Sequence, residues 1–66
     1  MNEPLVIQQG KRRAVVDGEY VYLLKLHNKK KPTCVWPETR VEDETHRLLA
    51  AHMWVMRGFV DLPGIR

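Results

Sequence analysis

The stretch RAVVDGEYVYLL, residues 13–24, decides the fold. Two runs of β-branched and aromatic residues, which suit a pleated surface, meet at Asp17-Gly18, a pair that accepts the positive φ angles of a two-residue type I′ turn. A β-hairpin is therefore expected. With Asp17-Gly18 as the turn, Val16 faces Glu19, Val15 faces Tyr20 and Ala14 faces Val21. One sheet face then carries Val15, Tyr20, Tyr22, Leu24 and Leu26, and the other carries Ala14, Val16, Val21 and Leu23.

Toward the N-terminus, Leu5-Val6-Ile7 begins another strand, joined to Arg13 through a tight turn at Gln9-Gly10 and Lys11. Toward the C-terminus, Asn28 to Pro32 is a polar loop, and Thr33 to Trp36 forms a short edge strand that Pro37 ends. The apolar spacing then changes to that of a helix. Thr39-Arg40-Val41-Glu42 fits a capping box, so a helix is expected over about 40–57 with Gly58 as its stop. Val41, Thr45, Leu48, His52, Val55 and Phe59 recur at spacings of four and three, flanked by Leu49 and Met56, and this stripe is expected to meet the sheet. The fold class is α+β: a three- or four-stranded antiparallel meander over about 4–36, one C-terminal helix on one sheet face, and a short tail over 58–66.

All of this fits one small domain of 66 residues, near the lower limit at which a single core offsets chain entropy. With 44% hydrophobic and 29% charged residues the composition is that of a globular chain. A lone Cys34 cannot form an internal disulfide, and no apolar signal segment follows Met1-Asn2-Glu3-Pro4, so a cytoplasmic or other intracellular setting is expected. No apolar run approaches the roughly 20 residues needed to span a bilayer, so no membrane partner is expected.

The net charge is +3 and the sequence pI about 9.4. Placement says more than the sum. In a meander the first and third turns share one end of the sheet, so Lys11, Arg12 and Arg13 neighbour Lys29, Lys30 and Lys31, and the helix returns Arg57 to the same end. Glu3, Asp17, Glu19, Glu38, Glu42, Asp43 and Glu44 collect at the other. Steps of 100° also place His46, Arg47, Ala50, Trp54 and Arg57 together on the expected outer face of the helix, where a Trp among arginines can stack a base or anchor a protein contact. DNA or RNA is thus the expected partner of a small regulatory or accessory protein, through Lys11, Arg12, Arg13, Lys29, Lys30 and Lys31 with Arg47, Trp54 and Arg57. The competing expectation is a protein-binding adaptor or inhibitor that uses the helix face around Trp54 and the uncovered sheet face, which is also a possible homodimer surface.

No catalytic triad, glycine-rich phosphate loop or paired acid and base carboxylates can be assembled, so enzyme activity is not expected. His27, Cys34, His46 and His52 do not follow a zinc-ligand spacing, and neither metal nor cofactor is expected. His52 falls within the apolar stripe and is expected to be a core residue, as is Cys34. The run from Gln9-Gly10-Lys11 through Asp17-Gly18-Glu19-Tyr20 to Trp36 resembles the opening strands of a FLYWCH-type zinc finger over about half of the chain. The family's Cys and His ligand pattern is absent, so the resemblance implies no ligand set or function here.

Overall fold

Two glycines set the strand pairing. Gly10 and Gly18 hold φ angles of 61° and 63°, each as the first of two turn residues, while Lys11 and Glu19 after them stay outside the left-handed region. That sign pattern belongs to type II′, whose first central position favours glycine. The second turn is therefore Gly18-Glu19 and not the expected Asp17-Gly18, and Asp17 pairs with Tyr20, Val16 with Val21, Val15 with Tyr22 and Ala14 with Leu23. The partners slide by two residues along the ladder. An even slide leaves each side chain on its expected face.

The computed structural model describes residues 3–61. Four strands, β1 (Leu5–Gln9), β2 (Arg12–Asp17), β3 (Tyr20–His27) and β4 (Lys30–Arg40), form an antiparallel sheet in that order, and helix α1 (Glu44–Arg57) follows. The chain is α+β with the helix packed on one face of the sheet. β4 runs past Pro37, its expected end, because register shifts near Leu23 and Lys25 let an edge strand carry Pro32 and Pro37 without a missing ladder bond in the sheet interior. The tail beyond Asp61 lies outside the described residues.

The helix begins later than the capping box suggests. Asp43, in extended conformation, accepts a hydrogen bond from the His46 amide at 3.1 Å and is the N-cap, whereas Thr39 and Arg40 belong to β4. The Thr39 hydroxyl instead donates to the Pro37 carbonyl at 2.6 Å. Gly58 closes the helix at φ 83° as expected, its amide reaching the carbonyls of Met53 and Trp54.

The core joins Ala14, Val21 and Leu23 of the sheet to Ala51, Trp54 and Val55 of the helix, with Val41 at the connection. The expected stripe meets the core only in part: Val41 and Val55 are buried there, whereas Thr45, Leu48, Leu49, His52, Met56 and Phe59 are exposed, and Ala50 and Trp54, expected outside, are buried. Small side chains explain the choice. Ala14 and Ala51, both fully buried, let the backbones approach closely, and the broad Trp54 ring fills the space beside them. Trp54 Nε1 also finds a partner, donating to the Leu24 carbonyl at 3.1 Å. Cys34, expected in the core, is exposed on the edge strand β4, where no second layer covers it.

Candidate nucleic-acid interface

Because alternate turns of a meander share an end, Gly10-Lys11 and Asn28-Lys29 lie together, flanked by the pairs Gln9 with Arg12 and His27 with Lys30. The Leu26 amide donates to the Lys11 carbonyl at 2.6 Å, extending the β2–β3 ladder to this end. The helix terminus arrives here too, since Arg12 Nε donates to the Val55 carbonyl at 3.3 Å. The opposite end holds the Gly18-Glu19 turn, the N-cap Asp43 and the Val41 amide bonded to the Glu19 carbonyl at 2.8 Å. The expected polarity of the molecule is present in the structure.

The cations at the basic end differ in their duties. Arg12 is half-buried, bonded to a helix carbonyl that has no intrahelical partner, and its Cζ lies 5.9 Å from the centroid of the Trp54 ring. Together with Arg57 it meets the negative end of the helix dipole, so part of its charge is spent inside the fold. Arg13 Nε is tied to Gln8 Oε1 at 2.9 Å. Lys11, Lys29, Lys30 and Lys31 are exposed, and Lys25, paired with Arg12 and Thr33, is exposed beside them. Among the described residues the ion pairs are those of Arg40, at 3.0 Å with Glu19 and 3.7 Å with Glu42, both at the acidic end. None of the described carboxylates forms an ion pair with these lysines.

Two residues expected at the interface are elsewhere. Trp54 is 6% exposed, so it has no face to offer a base or a protein partner. Arg47 lies near the acidic end, where its Nη1 donates to the carbonyls of Val41 and Glu42 at 2.8 Å each and secures the connection into the helix. Helical spacing turns both outward only on the premise that Leu48, Leu49 and Met56 face the sheet, and these three are exposed. Lys25 is absent from the expected set, although the meander that gathers the other cations carries it to the same end.

His52, exposed on the helix, donates from Nδ1 to the Leu48 carbonyl at 2.8 Å, and His27 Nε2 lies 2.7 Å from Thr33 Oγ1. Tyr22 donates to Glu38 at 3.1 Å, and that hydrogen bond, with lesser help from burial and carboxylate charge, raises its pKa above the ordinary tyrosine value. Among the described residues no three His, Cys, Asp or Glu side chains gather as a metal site requires, and no helix is long and apolar enough to cross a membrane. No family model, curated protein or solved structure matches the chain.

Proposed function

We propose that the chain is a small, non-enzymatic accessory or regulatory protein that binds the sugar-phosphate backbone of DNA or RNA through Lys11, Lys25, Lys29, Lys30 and Lys31, with Arg13 and Arg57 at the margin. The observation that carries this reading is the gathering of exposed lysines at one end, none of them ion-paired with a carboxylate among the described residues. Such a cluster releases condensed counterions when it meets phosphates, a gain in entropy that needs no base-specific contact. Contacts of this kind position a protein on the backbone without reading sequence. Arg12 belongs to the framework, and Arg47 and Trp54 take no part.

Backbone strain at the tip supports the same reading. Lys29 is the one non-glycine residue with positive φ among those described, at 59°, a conformation that glycine adopts at lower cost. A strained lysine at an exposed turn is explained if its charge is used. Replacement tests this directly: Lys29→Gly should leave thermal stability unchanged or raise it, while weakening binding to generic duplex and single-stranded oligonucleotides at about 50 mM salt. Alanine at Lys11, Lys30 or Lys31 should weaken binding by similar factors for all sequences, with folding unchanged. Undiminished binding by all four variants would remove the lysines from the interface.

A protein-binding adaptor is the second reading, favoured by the open sheet face. Val6 and Tyr20 are 56% and 41% exposed there, with Val15, Tyr22, Leu24 and Leu26 half-buried alongside. This alternative predicts association with little dependence on salt.

A further inference from the structure

The two tryptophans are held differently. Trp54 is buried, whereas Trp36, opposite Leu23 on the edge strand β4, packs against the core and yet stays half-buried. Coverage explains the difference: α1 packs on β1, β2 and β3 and makes no contact with β4. The register shifts place their surplus residues in β4, so alternation along β3 is unbroken, and Lys25 and His27 follow Leu23 on the face that Trp36 shares. Each step is about 7 Å. Lys25 is exposed and paired with Thr33, and His27, which lies 2.7 Å from the Thr33 hydroxyl, is paired with Lys30 beside the Asn28-Lys29 turn. Arg57, three residues after Trp54, stands on the helix flank from which the Trp54 indole reaches the Leu24 carbonyl. A row thus runs from an aromatic ring to the basic end without a carboxylate in it.

We infer that this row is a track for single-stranded nucleic acid, in which one base stacks on the Trp36 indole and the phosphates next to it meet Lys25, Arg57 and the lysines of the turn. The inference rests on the proposed binding of a sugar-phosphate backbone and deepens it by naming the form of nucleic acid bound. Continuity carries it, because the ring and the cations share one face of the sheet margin that the helix leaves open. A paired base is covered above and below by its neighbours, so only a splayed base has a face to offer an indole. The lysines serve duplex and single strand alike. Trp36 serves the single strand alone, and since stacking and phosphate contacts read neither sequence nor the 2′-hydroxyl, DNA and RNA are bound equally.

Fluorescence titration of the full chain at about 50 mM salt, with oligo-dT, with oligo-U and with a duplex of equal length, tests this. Both single strands are expected to quench the indole emission, and the duplex to bind without quenching. Trp36→Leu, which keeps an apolar side chain against the core, should weaken single-strand binding about tenfold while leaving duplex affinity and the salt slopes unchanged. Trp36→Phe keeps a stacking ring and removes the reporter, so it should bind single strands more tightly than the leucine variant while the remaining Trp54 emission stays constant. Should Trp36→Leu fail to fold, the phenylalanine variant decides, because quenching that persists in it comes from Trp54 and overturns the inference. Single strands that bind with unchanged emission, or a loss in Trp36→Leu that is equal for the duplex, also overturn it and leave the lysine interface standing. Absence of binding by every form removes both.

Discussion

Gly18 carries the hairpin. At φ 63° a Cβ would meet nothing within 4 Å, so any penalty for adding one is backbone strain and not a clash. Gly18→Ala should therefore lower stability by about 1–2 kcal/mol in thermal or chemical denaturation. D-alanine at the same position, introduced by chemical synthesis, should be neutral or stabilising because its mirror-image preference matches that φ. Asp17-Gly18 is legible in the sequence as a turn, but which neighbour joins the glycine depends on whether one or two residues hold positive φ. Glu19, with a Cβ, settles on the negative side. Trp54 is the second decisive residue: buried, hydrogen-bonded through Nε1 and lying under Arg12, it belongs to the core. Trp54→Ala should cost about 3–5 kcal/mol, enough to unfold much of so small a domain at 25 °C, and denaturation midpoints will show it. An unchanged midpoint would mean that the ring does not pack as described.

At the scale of elements, the strands are legible because alternation and turn residues agree, whereas the helix is legible in its existence and its end and not in its start or rotation. Large apolar residues at 48, 49, 56 and 59, with His52 among them, outweigh two alanines in any reading of a single sequence. What decides the rotation is close approach to Ala14, a tertiary fact that helical spacing does not contain. The helix start moves for a similar reason. Thr39 has a cap's chemistry, but its segment is taken by β4, and Asp43 is the next residue able to accept from a first-turn amide. Asp43→Ala should cost about 0.5–2 kcal/mol of stability, and Thr39→Ala clearly less, when the two are compared by thermal denaturation. The reverse order would restore the earlier helix start.

Across the whole molecule, the separation of charge follows from topology alone. Once the order β1-β2-β3-β4 is fixed, the odd turns share one end, and the sequence places lysines at both. The part that cannot be read in advance is which cations remain available, since only packing shows that Arg12 closes the helix end and Arg47 holds the helix start. What is left is a compact set of exposed lysines at one end of the molecule, for which a phosphate backbone is the ligand we propose. The slope of log K against log salt for a generic duplex, measured between about 50 and 200 mM, tests this most directly. Phosphate neutralisation predicts a linear fall of about 0.9 per contact, hence a slope of roughly −3 to −5 for the lysine cluster, reduced by about one contact in Lys30→Ala. Binding that is undetectable at about 50 mM salt, or that shows no salt dependence, would contradict the account.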